Sequence, residues 1–189
     1  MSGYVLASGS PPPNDDALAG ILQAMIAGVT GLAGNLIRPR WQPQPPTQPS
    51  VTTTWCAIGI TGYTPYDYPI WTQDDDTSGS LHRYERVDAL ATFYGPQSAW
   101  YAALLRDGIY IPQNHETLSA QGLKLRSVDE TTHLGELINS QYVSRSDIPM
   151  SFVRFIDRTY DSIPAIAQVS VSFITDTGLH CTITASQEN

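Results

Sequence analysis

Lysine is almost missing from this chain: Lys124 is the only one, and the other basic residues are arginines. Acidic residues outnumber basic ones 18 to 10, for a net charge of -8, and no basic stretch is present to displace counterions from a phosphate backbone. That balance argues against a protein built to grip nucleic acid, while an acidic surface is compatible with DNA passing by without sticking. Cysteine is scarce too. Cys56 and Cys181 lie far apart and make no disulfide framework, so reduced thiols and cytosolic synthesis are expected. The most apolar segment, Ala17–Ile37, is interrupted by Gly20, Gln23, Gly28, Gly31, Gly34 and Asn35, which rules it out as a membrane span, and Asp15 and Asp16 stand where a signal peptide would be basic.

Catalytic signatures are equally thin. The chain has no Gly-x-Ser-x-Gly elbow, no Walker loop, no dinucleotide fingerprint and no Cys-x-x-Cys pair. His82, His115, His133 and His180 lack the close pairing of a zinc helix, and His180 and Cys181 are neighbours that a strand would point to opposite faces. Glu85, Asp88, Asp157 and Asp161 are interleaved with Arg83, Arg86, Arg154 and Arg158, a pattern of salt-bridged pairs more than of paired catalytic acids. No catalytic residue, metal ligand or cofactor site is therefore assigned. The Asp74-Asp75-Asp76 run lacks the alternate ligand spacing and turn glycine of a calcium loop and reads as a solvated tip.

What is present fits one α+β domain at residues 14–176, with a flexible tail at 1–13 and another at 177–189. Asn14 is placed to cap a helix whose apolar stripe is Leu18, Ile21, Leu22, Met25, Val29 and Leu32, and Gly31 and Gly34 end it. Pro39, Pro43, Pro45, Pro46 and Pro49 then make residues 38–50 a stiff extended arm. At about 3.1 Å per residue the arm would reach roughly 35–40 Å, either across its own domain or onto a neighbouring copy. Val51–Thr61 reads as a strand with Cys56, Ile58 and Ile60 on one face and Trp55 and Ala57 on the other, so both faces need cover.

Farther on, Leu81–Tyr94 is a long strand, charged in its first half. Gly95-Pro96 opens a helix closed by Gly108, and Asn114 caps a short helix at His115–Ala120. Leu123–Val128, Pro149–Asp161 and Ile166–Thr175 read as strands, the last two forming a hairpin through a turn at Pro164. Thr131–Tyr142 reads as a short helix or an irregular segment. The result is a largely antiparallel sheet of about four or five strands with helices mainly on one face, plus the N-terminal helix and the arm.

Three stretches carry a family resemblance: VTGL followed by IRPRWQPQPPTQP and WCAIGIT; RYERVDALATFYGPQSAWYAALLRDG; and LINSQYVSRSDIPMSF, with its Arg145-Ser146-Asp147 step. They cover most of Val29 to Phe155 and resemble the tail terminator, or neck terminator, proteins of tailed bacteriophages. The resemblance implies a structural virion protein of the tail or neck, assembled in the bacterial cytoplasm. It would form a homohexameric ring that caps the head-proximal end of the tail and joins it to the head-side connector around the DNA channel. Its partners would be other copies of itself, the tail-tube protein, head–tail connector or adaptor proteins and the tail sheath, with DNA threading through unread and no membrane. A ring needs a heterologous interface that closes. Arg38, Arg40, Trp41, Trp55, Arg154 and Arg158 are the expected anchors, since Arg and Trp are enriched at interface hot spots, and Trp41 has intramolecular packing on the first helix as its alternative. Asp74, Asp75 and Asp76 would face the lumen. Competing readings are a head-completion adaptor, a tail-tube subunit with its long stacking hairpin, or a small hydrolase using Asp157 or His115.

Overall fold

The structure, a computed structural model, describes residues 4–10, 12–44, 46–75, 77–138, 140–161, 168–174 and 180–186. Pro45, Asp76 and the expected turn at Pro164 lie outside them. The described residues contain α1 (Asp15–Thr30), β1 (Ile37–Pro39), β2 (Trp55–Pro65), β3 (Ile70–Gln73), β4 (Gly79–Tyr94), α2 (Ser98–Gly108), α3 (Pro112–Ala120), β5 (Leu123–Val128), β6 (Thr132–Ile138), β7 (Gln141–Tyr160), β8 (Gln168–Ile174) and β9 (His180–Ser186). The main sheet runs β1-β2-β4-β7-β5, with β3 added to β4 and β6 to β7; β8 and β9 form a separate two-stranded sheet. The α+β class and the antiparallel character are as expected. Seven strands replace four or five because β1 and β3 are too short to carry a local pattern, and the apolar spacing in β6 suits a helix as well as a strand.

Two compact units emerge. The larger comprises Ser10–Ile70 and His82–Asp157; the smaller draws on Trp71–Leu81, the described residues up to Gly9 and those from Arg158 onward. In the larger unit, α1 buries Leu18, Leu22 and Ile26 against Cys56, Ile58, Ala91, Phe93, Met150 and Phe152 of the sheet and Leu105 of α2. Each fully buried large apolar side chain contributes about 1.5–3 kcal/mol. Gly31 closes α1 at φ 71°, its N–H bonding to the Ala27 carbonyl. The second face of β2 is covered as well, by a small cluster of Ala57, Tyr94 and Val143 with Trp55 against it.

Several local expectations need correction. Asn14 occupies the N-cap position, but its side chain makes no capping bond: Oδ1 accepts instead from Arg154 Nη2 at 2.7 Å. The third helix starts at Pro112 rather than His115, because proline is tolerated at the first helical position, and Asn114 Nδ2 donates to the Gly108 carbonyl. Thr132–Ile138 is a strand, β6, paired along its whole length with β7. From sequence the segment reads as a short helix or an irregular stretch, and the long-range ladder to β7 overrides both. β7 is 20 residues long and contains Pro149 at the point where its partner changes from β6 to β5, so the missing N–H interrupts neither ladder. The partner of β8 is β9, from Gln168↔Ser186 to Ile174↔His180.

The arm does not run straight out. Its first residues form β1 parallel to β2, with Ile37 opposite Cys56 and Pro39 opposite Ile58. Parallel pairing forces residues 40–54 to carry the chain back along the sheet to the start of β2. Arg38 Nη1 donates to the Thr47 carbonyl at 2.8 Å and Thr53 N to Ser50 O at 2.8 Å, holding the return in place.

In the smaller unit, an isolated antiparallel bridge joins Ala7 to Tyr160, supported by Ser8 N donating to Thr159 O at 2.9 Å. The Trp71 ring tilts against Tyr160 at 5.7 Å and occupies the space a side chain at Gly79 would need.

Candidate functional site

The edge formed by β1, the returning arm and the start of β2 gathers most of the chain's unusual chemistry. Trp55 and Tyr94 are opposite each other across β2 and β4, and their rings stack at 4.6 Å with a 15° interplanar angle. The Arg38 guanidinium lies over Trp55 and that of Arg145 over Tyr94, each 5.8 Å from the ring centroid, giving a cation–aromatic–aromatic–cation stack. Arg145 is fixed by Asp147, at 3.0 and 2.8 Å through Nε and Nη2, and by Glu136 at 3.1 Å through Nη1. Those bonds, Asp147 foremost, hold its pKa above the usual arginine value. Burial pushes the Tyr94 hydroxyl up despite the opposing pull of Arg145.

A pocket of about 480 Å³ opens between the arm and this stack, lined by Arg38, Arg40, Gln42, Pro46, Gln48, Trp55, Tyr94 and Glu136 among others. Arg40 crosses the sheet edge: its N–H donates to Ile58 O at 2.7 Å and its Nη2 to the Thr92 hydroxyl, while its Nε is buried with no acceptor among the described residues. Beside it, Trp41 rests on Gly59, where an added Cβ would come within 2.6 Å of the indole, yet 63 % of the residue stays exposed. A smaller groove of about 260 Å³ joins Trp41 to Asp16 and Ala19 of α1. Trp41 thus takes an intramolecular seat and keeps an exposed ring.

Of the expected anchors, Arg38, Arg40, Trp41 and Trp55 come together at this edge. Arg154 does not. It is only 7 % exposed and uses its donors inside the larger unit, on Glu85 Oε2 at 2.9 and 2.6 Å, on Asn14 and on the Pro13 carbonyl, with its guanidinium 5.3 Å from the centre of the Tyr63 ring. Arg158 is half-buried in the smaller unit. Asp74 and Asp75 shape a turn there: Asp75 Oδ1 accepts from the backbone N–H groups of Thr77 at 2.7 Å and Ser78 at 2.6 Å, and Asp74 accepts from Ser80 Oγ at 2.6 Å. Sequence reading missed Tyr94 and Arg145 as partners of Trp55, since nothing local links residues so far apart in the chain. It also missed the β6–β7 pairing, for which Asn139, a turn-favouring residue, was an available sequence signal; Ser140 takes φ 64°. Across that hairpin Leu137 faces Tyr142, 61 % and 82 % exposed.

One His–Ser contact has the distance of a nucleophile–base pair but not the access. His133 Nδ1 lies 2.9 Å from Ser146 Oγ, but Ser146 is fully buried and bonds to Ser98 at 3.3 Å, within a hydroxyl network that includes Ser144. A hydroxyl sealed from solvent in this way ties α2 to β7 rather than meeting a substrate. Cys56 is a free, buried thiol whose pKa burial raises well above the ordinary range, which leaves it unreactive. Among the described residues no group of three or more His, Cys, Asp or Glu is placed to hold a metal. The groove between α1 and α3, floored by Ala17, Gly20, Ala24 and Gly28, carries no titratable side chain.

Fold and edge together define an α+β protein whose distinctive surface is made of arginine and aromatic side chains, the composition of protein–protein contacts. The family profile described as "Phage neck terminator protein" matches residues 16–177, and the chain belongs to that family. It is accordingly a structural bacteriophage protein of the neck and tail of the virion, a tail terminator that associates with other phage tail and head proteins. No curated protein matches the chain. No described helix is long and apolar enough to cross a membrane.

Proposed function

We propose that this protein closes into a ring, a hexamer by resemblance, at the head-proximal end of the phage tail and joins it to the head-side connector around the DNA channel. The family match over residues 16–177 carries the reading. The arm edge supports it: Arg38, Arg40, Trp41 and Trp55 converge there and supply the anchors a subunit contact needs. In this reading the domain is residues 14–176 with residues 1–13 and 177–189 as tails, Arg158 adds to the contact surface, and the loop of Asp74, Asp75 and Asp76 faces the lumen, where carboxylates repel the DNA backbone. The tail-tube protein, the connector or adaptor proteins and the tail sheath are its partners, DNA passes without being read, and assembly takes place in the bacterial cytoplasm. Its role is assembly, without catalysis or cofactor.

One observation favours a second reading, a tail-tube-like subunit. The β6–β7 hairpin presents exposed Leu137 and Tyr142 near its turn, as a stacking element would. Electron microscopy of the protein alone and mixed with tail tubes separates the two. The terminator reading expects a six-fold ring at one end of each tube; repeated stacking along the tube favours the alternative, and a monomer that ignores tubes overturns both.

A further inference from the structure

We propose that the pocket between the arm and the sheet receives carboxylate side chains from a second copy of this chain, supplied by Asp129 and Glu130 on the opposite edge of the sheet. The inference rests on the ring reading and names the two surfaces that would mate. Five of the nine arginines, Arg83, Arg86, Arg106, Arg145 and Arg154, already hold carboxylates of their own chain. Among the described residues Arg38 and Arg40 do not: their side chains donate to a carbonyl and a hydroxyl. The guanidinium groups bordering the pocket carry further N–H donors, and a carboxylate is the strongest acceptor a protein offers them. Trp55 and Tyr94 wall one side of the pocket with apolar surface, which lowers the local dielectric around a carboxylate seated there. Glu136, the pocket's own carboxylate, is engaged by Arg145.

The counterpart follows from topology. In the order β1-β2-β4-β7-β5 the arginines sit at one edge, and the segment leaving β5 at the other. Asp129 and Glu130 are exposed there, directly after Val128, with Asp129 Oδ1 accepting from Ser127 Oγ at 3.2 Å. β5 itself carries Lys124 and Arg126, so the acidic pair, and not the strand, is the complement. A basic pocket on one edge and an acidic pair on the other give a head-to-tail contact, the geometry from which rings close.

Charge reversal tests this. Arg38→Glu, at an exposed bond, and Asp129→Arg with Glu130→Arg are each expected to weaken self-association about tenfold or more in sedimentation velocity, with far-UV circular dichroism unchanged. Mixing the two variants restores association, because each then supplies the charge the other needs. Undiminished association of either variant, or no recovery on mixing, overturns the inference while wild-type rings leave the ring reading standing. A wild type that is monomeric throughout overturns both.

Discussion

Arg154 and Glu85 show how far a single residue's role is set by its surroundings. Both are nearly sealed from solvent, and the guanidinium ties β7 to β4 and to the start of α1 at once. Removing one partner leaves an unpaired buried charge, so Glu85→Ala is expected to cost about 3–5 kcal/mol in urea unfolding. A loss below about 1 kcal/mol would show that water reaches the pair. Asp75 is different, being fully exposed. Hydrogen bonds from Ser78 and from the Thr77 and Ser78 backbone N–H groups hold its carboxyl below the usual value. A depressed folded-state pKa means the turn gains stability that is complete above the ordinary carboxylate value, near about 3.9, and is lost as pH falls through the lower folded value. In an NMR titration the Thr77 and Ser78 amides should therefore move at a pH below that of a model aspartate; movement at the model value would mean the bonds do not persist in solution.

Among the elements, the arm and the β6–β7 hairpin departed most from their sequence patterns. The prolines were legible as stiffness, but stiffness does not set direction. Parallel pairing of β1 with β2 turns the chain back, and it is that return which builds the pocket. The hairpin was hidden because Leu134, Leu137 and Ile138 suit a helix as well as a strand, and only the ladder to β7 decides between them. Its apolar pair is held by no core, so Leu137→Ser with Tyr142→Ser is expected to leave the thermal midpoint within about 2 °C of wild type, as surface changes do. If the hairpin meets the tail tube, the same variant fails to co-sediment with tubes. Normal co-sedimentation would assign that contact elsewhere.

For the whole molecule, the chain itself determined the class and much of the chemistry that is excluded. An apolar stripe of period 3.6 specifies α1 locally, β-branched and apolar runs specify β2 and β4, the charge balance disfavours a nucleic-acid grip, and the arm motif with its neighbours was enough to point to the neck terminator family. Those features depend on residues within a few positions of one another, or on composition, and so they survive without coordinates. Tertiary structure decided the rest. The stack of Arg38, Trp55, Tyr94 and Arg145, the burial of Arg154 against Glu85, the sealing of Ser146 and the placement of β1 and β5 on opposite edges all join residues from distant parts of the chain. A local period records which face of an element is apolar, but it cannot record which distant strand that face will meet. The candidate contact surface is made of such meetings, and for that physical reason it became visible only in the folded chain.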